Sequence, residues 1–432
     1  MLGLPRREAF AAGSLFRVRG PARLRVVRGL VYAIGLKLRE GNSLVVRSDR
    51  VICCEALEES KVELAIGAGG GLEAASEAEE VIRKWRELAE NIIANHRLVV
   101  VVGEVDSGKS TFSTILLNTA VSKGLKAAFL DEDVGQSDIA WPGVVGLAYT
   151  DKPVYWIRDL KPESVEFVGS TSPVGNEVEV ITAVVRLINE ARRKADFTVV
   201  NTDGWVSGTR AIKFKTCLVR AIAPDAVVVM KGDGGADGLA RALRVMGYRV
   251  IHASSPQARM RKTKAARKSY RESALVSLLM GSRKLRIDLK RLPVVNLPIG
   301  GESRDEYLET RLGELTGQRV IVFRAGDQAL IVTRERAQAE VLRRLSSRIE
   351  ELVGVRELLV ICEEDLNGAY VGLHGEHGRL ISCGVIRGVD LRRMTLLIEA
   401  PLESCENIKY MVLGKLRIAP DGSEAGFLRL PL

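Results

Sequence analysis

Residues Gly103 to Ser110 read GEVDSGKS, follow an apolar run, LVVVV, and lead into a helical stretch from Thr111. This is the spacing G-x-x-x-x-G-K-[ST]. Its glycines let the backbone curl so that successive N–H groups face an anion, and the new helix turns its positive end on the same spot. Lys109 is then placed to bridge the β- and γ-phosphates of a nucleoside triphosphate, and the Ser110 hydroxyl to ligate magnesium. Gly103, Glu104, Val105, Asp106, Ser107, Gly108, Lys109, Ser110 and Thr111 are therefore the expected nucleotide contacts, with ATP as the nucleotide.

Three more groups carry chemistry. The run KAAFLDEDVGQSD ends in Asp131, Glu132 and Asp133. Ligands of parallel α/β sheets sit at the carboxyl ends of the strands, and carboxylates there hold magnesium or take a proton from an attacking hydroxyl. A third run ends in NTDGWVSG, where Thr202 is placed to hydrogen-bond a substrate phosphate or hydroxyl. Two readings fit Trp205 in that loop: an indole on which a base stacks, or one that packs the loop onto its domain. The fourth group is ARMRKTKAARKSYRES, with seven positive residues from Arg259 to Arg271 and no acid among them. On a helix Lys264, Arg267 and Arg271 share one face. Guanidinium groups closing over a triphosphate neutralise charge in phosphoryl transfer, which makes the segment a lid. A solvated basic face and a general nucleic-acid patch are the alternatives.

These residues need a scaffold. LVVVVG, KAAFLD, FTVVN, AVVVM and YRVIHA alternate with helical stretches at 179–194 and 238–246, which predicts a doubly wound parallel α/β domain over 75–290. A helix over 76–96 precedes it, with Ile82, Trp85, Leu88 and Ile92 on one face. Residues 1–74 read as an N-terminal all-β domain joined through GAGGG, and 291–432 as a mostly-β domain with one helix near 334–352. Loops near KLREGNSL are candidates for holding the base.

A chain of 432 residues exceeds one ordinary core. No stretch approaches eighteen apolar residues, and the N-terminus is too broken by charge to read as a signal peptide. The six cysteines make no CxxC pair and read as reduced thiols of a cytoplasmic protein. His374 and His377 are expected at a solvated hairpin tip. A net charge of +10 favours an anionic partner.

Together the motifs resemble the polynucleotide 5′-hydroxyl kinases of RNA processing, the family of the cleavage-factor kinase subunit and the pre-ribosomal-RNA kinases. DEDVGQSDIAWPG is similar to that family's D-x-D-x-G-Q-S element, FVGSTSPVGN to its substrate-side loop, NTDGWVSG to its T-x-G-W clasp and the basic helix to its lid. The resemblance implies transfer of the γ-phosphate of ATP to the 5′-hydroxyl end of RNA, with DNA as a second acceptor. It implies Asp133 as general base and Asp131 as support for magnesium. Gln136, Thr171, Ser172, Thr202 and Trp205 would contact RNA, Trp205 by stacking on a terminal base. Arg267 and Arg271 would close over the triphosphate. Lys262 and Lys264 stand where the family often carries Arg, so the charge is kept and the planar fork lost. The competing readings are a nucleotide-bound scaffold without turnover and a P-loop ATPase or GTPase switch. MKGDGG lacks the Asn of the guanine-binding N-K-x-D, which counts against the GTPase.

Overall fold

The alternating runs of the first 75 residues fold as two antiparallel sheets. One has the order β1 (Arg6–Phe10), β8 (Ser60–Ile66), β3 (Ala22–Arg28), β6 (Ser43–Val46). The other runs β5 (Leu36–Leu38), β4 (Val31–Ala33), β7 (Val51–Ala56), β2 (Leu15–Arg19), β9 (Gly71–Ala75). Period-two patterning sets their faces: β3 buries Ala22, Leu24 and Val26 and leaves Arg23 and Arg25 in water. The computed structural model describes residues 3–76, 80–232, 234–256, 263–300 and 303–428.

The α/β part begins with α1 (Ile82–Asn95), shorter than the expected 76–96. Then follow β10 (Leu98–Val102), α2 (Lys109–Ser122), β11 (Ala127–Asp131), β12 (Val144–Thr150), β13 (Ser164–Phe167), α3 (Glu177–Lys194), β14 (Phe197–Asn201), α4 (Thr209–Ile222), β15 (Ala226–Lys231), α5 (Asp237–Val245), β16 (Val250–Ser254) and α6 (Lys264–Leu279). The sheet order is β13-β12-β11-β14-β10-β15-β16. Strands β11, β14, β10, β15 and β16 are parallel, and all five residues of β10, β11 and β14 are buried. The sheet is mixed, however, because β12 runs antiparallel to β11. No helix lies in residues 132–143 to carry the chain back, so β12 starts where β11 stops and returns alongside it.

The chain packs as two compact units. The first holds residues 1–140, 145–165 and 174–267, and so contains both the N-terminal sheets and the P-loop. The second holds 141–144, 166–173 and 268–432. Its larger sheet has the order β17 (Arg283–Asp288), β23 (Thr395–Ala400), β22 (Leu380–Asp390), β21 (Ala369–His374), β24 (Tyr410–Ile418), β25 (Glu424–Phe427). A smaller sheet is formed by β18 (Ile321–Ala325), β19 (Gln328–Thr333) and β20 (Glu357–Cys362).

Where one helix was expected in this region there are α7 (Glu306–Thr316), α8 (Arg336–Arg344) and α9 (Ser346–Val353). The Asp305 side chain caps α7 by accepting from Leu308 N, and the left-handed Gly317 ends it. Leu345, outside helical geometry, separates α8 from α9. His374 corrects another expectation. It is buried, with its ring stacked 5.0 Å from that of Tyr410, while His377 is exposed in a tight turn. No helix among the described residues is long and apolar enough to cross a membrane.

Candidate nucleotide and phosphoryl-transfer site

The P-loop is shaped by close approaches that forbid side chains. A Cβ on Gly103 would lie 2.7 Å from Met230 Cβ and 2.8 Å from Ser107 Oγ. Gly108 is left-handed, φ 98°, and a Cβ there would lie 2.9 Å from the Trp85 ring. Trp85 is held in turn by its Nε1, which donates to Ser254 O at 2.8 Å. Ser255 Oγ donates to Ser107 O at 2.8 Å. The loop is thus braced by α1 and by the end of β16. Asp106 is left-handed at φ 60°, a conformation that costs a non-glycine residue roughly 1–2 kcal/mol.

Lys109 is buried, and its Nζ donates to the loop carbonyls Gly103 O, 2.9 Å, and Glu104 O, 2.8 Å. Burial pulls its pKa down; the carboxylates Asp133 and Asp203 oppose that pull. An anion entering the loop adds to the opposing side.

The acids at the end of β11 have three different environments. Asp131 is fully buried: Oδ1 accepts from Asn201 Nδ2 at 3.0 Å, and Oδ2 accepts from Ser137 Oγ at 3.1 Å and from the Asp138 amide. Burial raises its pKa to about 8. It ties the loop after β11 together and does not line the cavity at the P-loop. Glu132 is also fully buried and points the other way. It accepts two bonds of 2.9 Å from Lys215 Nζ and one of 2.8 Å from Asp203 N. Burial and the neighbouring Asp203 push the Glu132 carboxyl up, and the Lys215 ammonium opposes the rise. Burial also pulls on Lys215, but Asp203, 3.1 Å away, and Glu132 outweigh it, so the ammonium keeps its proton.

Asp133 alone of the three lines the cavity. Its Oδ1 accepts from Gly135 N, 3.0 Å, and Gln136 N, 2.8 Å. Its Oδ2 has no protein donor among the described residues. Burial raises its pKa, nearby Asp203 adds to the rise, and Lys109 offsets part of it. The site therefore presents a carboxylate, held by two amides and raised in pKa, on the same cavity as a lysine-bearing phosphate loop.

That cavity, about 300 Å³, lies wholly within the first unit. Ser107, Gly108, Lys109, Ser110 and Thr111 line it, with Asp133, Gln136, Thr202 and Arg267. Ile34, Ile52, Cys53 and Trp156 line it as well. KLREGNSL, residues 37–44, contributes nothing to this lining. The base-side candidates come instead from the turn at Ile34 and from residues 49–53, the approach to β7 and its first residues. Two contacts fix them. Asn118 of α2 donates to Ile34 O, 2.7 Å, and Val154 O, 2.8 Å. Glu55 of β7 receives Arg83 at 2.8 Å and Arg86 at 2.6 Å from α1.

The remaining expected residues are placed as follows. Gln136 Nε2 donates to Arg267 O at 3.2 Å. The Arg267 guanidinium holds Asp106 at 2.8 Å, across the tip of the P-loop. Thr202 Oγ1 donates inward to Val101 O at 2.9 Å. Trp205 stacks on Phe214 at 5.8 Å and does not line the cavity, although Gly204 before it does. A Cβ on Gly204 would lie 2.2 Å from Val105 Cγ2, so this glycine lets the loop touch the P-loop. Thr171, Ser172 and Arg271 belong to the second unit, where Arg271 is paired with Glu424 through both guanidinium and carboxylate groups. Lys262 lies outside the described residues.

Reading the sequence missed the bracing residues Asn118, Asn201, Asp203, Lys215 and Ser255. Lys215 had a signal. It shares the buried face of α4 with Ala211, Phe214, Leu218 and Ile222, and a lysine on such a stripe needs a buried acid.

A strand–loop–helix phosphate cradle at the carboxyl end of a largely parallel sheet, with a carboxylate opposite its lysine, defines a P-loop nucleotide-binding protein. Residues 103–280 match the family model described as mRNA cleavage and polyadenylation factor CLP1 P-loop. It is 27% identical to a protein of Pyrococcus furiosus named polyribonucleotide 5′-hydroxyl-kinase, across 76% of this chain and 90% of the relative. A protein of the same name from Thermococcus kodakarensis is 28% identical, across 77% and 91%. A CLP1 homolog of Brugia malayi is 27% identical, across 65% and 73%. A solved structure of a wild-type Clp1p–Pcf11p complex has the same fold, with TM-score 0.60 at 11% identity, covering 96% of this chain and 99% of that one.

Proposed function

We propose that this chain is an ATP-dependent polynucleotide 5′-hydroxyl kinase acting on RNA ends in RNA processing. The relatives named as polyribonucleotide 5′-hydroxyl-kinases span most of its length. The observation that carries the reading is Asp133: backbone amides hold one oxygen, the other has no protein donor among the described residues, and the residue lines the cavity that Lys109 also lines. In this reading Lys109 and the loop amides hold the triphosphate in line with an acceptor. Asp133 Oδ2 accepts the proton of the 5′-hydroxyl as its oxygen attacks the γ-phosphorus and the bond to the β,γ-bridging oxygen breaks.

Magnesium fits the residues present. The Ser110 hydroxyl is a hard oxygen donor on this cavity. Among the described residues no cluster of three or more His, Cys, Asp or Glu could cage a metal. One or two protein oxygens completed by phosphates and water is how such enzymes hold this ion. When bound it would offset charge on the phosphates. Asp131, with both oxygens engaged by the protein, positions this loop. Thr171, Ser172 and Trp205 remain proposed RNA contacts, and a cytoplasmic setting belongs to the same reading.

One observation favours the scaffold as second reading: Arg267 and Arg271 both hold carboxylates of the protein. Catalysis requires Arg267 to leave Asp106 when the triphosphate arrives. Incubating the purified chain with γ-labelled ATP and 5′-hydroxyl RNA separates the two. Label on the RNA supports the kinase; stable ATP binding with unlabelled RNA sinks it and supports the scaffold.

A further inference from the structure

Strand β17 forms one edge of the six-stranded sheet of the second unit, beyond the segment that the family model matches. It reads RKLRID and is followed by LKRL. Leu285, Ile287 and Leu289 turn into the core, so Lys284 and Arg286 stand together on the outer face, about 7 Å apart. Lys290 and Arg291 continue the line into the turn. The Leu289 amide donates to Met394 O, so the turn that carries the exposed Arg392 adjoins this segment.

The nearby acids do not neutralise this row. Glu399 is the register partner of Lys284, but its carboxylate receives Arg387 at 2.7 Å. Asp288 shares the outer face and accepts from the Lys290 amide, which leaves its single negative charge against five cations; Asp390 accepts from the Arg393 amide and is ion-paired with the Arg393 side chain. Lys284, Arg286, Lys290, Arg291 and Arg392 have no carboxylate within ion-pair distance among the described residues. Some arginines elsewhere in the unit are paired, as in Arg304–Glu309 and Arg336–Asp365; what marks this row is that its five cations follow one another along one strand and its adjoining turns.

Basic side chains on an edge strand often serve to block unwanted strand pairing. That accounts for Lys284 and Arg286. It does not account for Lys290, Arg291 and Arg392, which sit in turns with no open strand edge to guard. We propose that this row binds the phosphate backbone of the polynucleotide, on nucleotides beyond those the phosphoryl-transfer site needs. A run of unneutralised cations complements a polyanion and releases its counterions. The inference rests on the kinase reading for its substrate; its binding test stands apart from transfer.

The test replaces four side chains together: Lys284→Gln, Arg286→Gln, Lys290→Gln and Arg291→Gln. All are exposed, so the variant should melt with the wild type. With 5′-hydroxyl RNA of about 25 nucleotides, KM should rise about tenfold at unchanged kcat, whereas RNA of about five nucleotides should show neither change. The salt dependence of binding should weaken by about 0.7 in log–log slope for each phosphate the variant no longer neutralises. Fluorescence anisotropy with a 5′-phosphorylated RNA of the longer length reads the same weakening without any transfer. If the longer RNA binds the variant as it binds the wild type, or both lengths weaken equally, the proposal is overturned. Unchanged RNA binding with lost binding of an acidic protein would assign the row to that protein instead. Absent transfer with the expected weakening in anisotropy would sink the kinase reading and keep the RNA surface.

Discussion

Lys109 and Asp133 carry the proposed chemistry as a pair of opposite charge on one cavity, and each has a separable signature. Lys109→Ala removes the ammonium that two loop carbonyls already orient, so γ-phosphate transfer should fall by about a thousandfold or more. Radiolabel transfer measures it, and full activity in the variant would end the assignment. Asp133→Asn keeps an oxygen for the Gly135 and Gln136 amides but cannot accept a proton, so kcat should fall about 10²–10⁴-fold with ATP affinity little changed. The pH profile gives a second check. Asp133 works deprotonated, and burial and Asp203 raise its pKa, so activity should climb with pH along a limb above the usual carboxylate value of about 4. An acid limb at that ordinary value, or one that survives in Asp133→Asn, would place the base elsewhere.

At the scale of elements, the site stands on a buried charge network that joins β11, the loop after β14 and α4. Lys215 is fully buried and holds Glu132 and Asp203. Lys215→Met leaves two carboxylates without their cation, which costs about 3–5 kcal/mol. Thermal melting should show a large fall, partly restored when Glu132→Gln is added, because the second change removes one stranded charge. Equal melting of the single and double variants would mean that the network is not coupled. The two ends of this support were unequally legible. GEVDSGKS announces its loop because glycine spacing and helix start are local, and the acids of β11 are visible as a cluster at a strand end. Which acid faces the cavity is not local. Asp131 and Asp133 differ by two residues and so leave the strand on the same side. Only Asn201, seventy residues on, and the Ser137 turn decide that Asp131 points inward. The antiparallel β12 escaped because its run of apolar residues looks the same in either direction. Helix α7 had local signals, Asp305 before it and Gly317 after it, that the surrounding β pattern masked.

The first unit brings its N-terminal sheets and its P-loop to one cavity, so one ligand should report on both. Asn118 of α2, the helix that begins at Lys109, holds the Ile34 turn, and Glu55 of β7 holds α1, whose Trp85 lies under Gly108. A triphosphate that fills the cavity stabilises only the states in which these parts are assembled, by about 2.7 kcal/mol at a hundredfold excess over Kd. Local openings that separate residues 49–53 from the P-loop are then suppressed together with those of the loop itself. Hydrogen exchange with and without ATP should therefore show slowing at residues 49–53 as well as at 103–110. The strand at 357–362, in the second unit, does not line the cavity and should exchange at its ligand-free rate. Slowing confined to 103–110 would mean that the N-terminal sheets border the cavity without holding the base. In that case Ile52→Ala would leave ATP affinity unchanged, and the role now given to Ile34, Ile52 and Trp156 would pass to other residues.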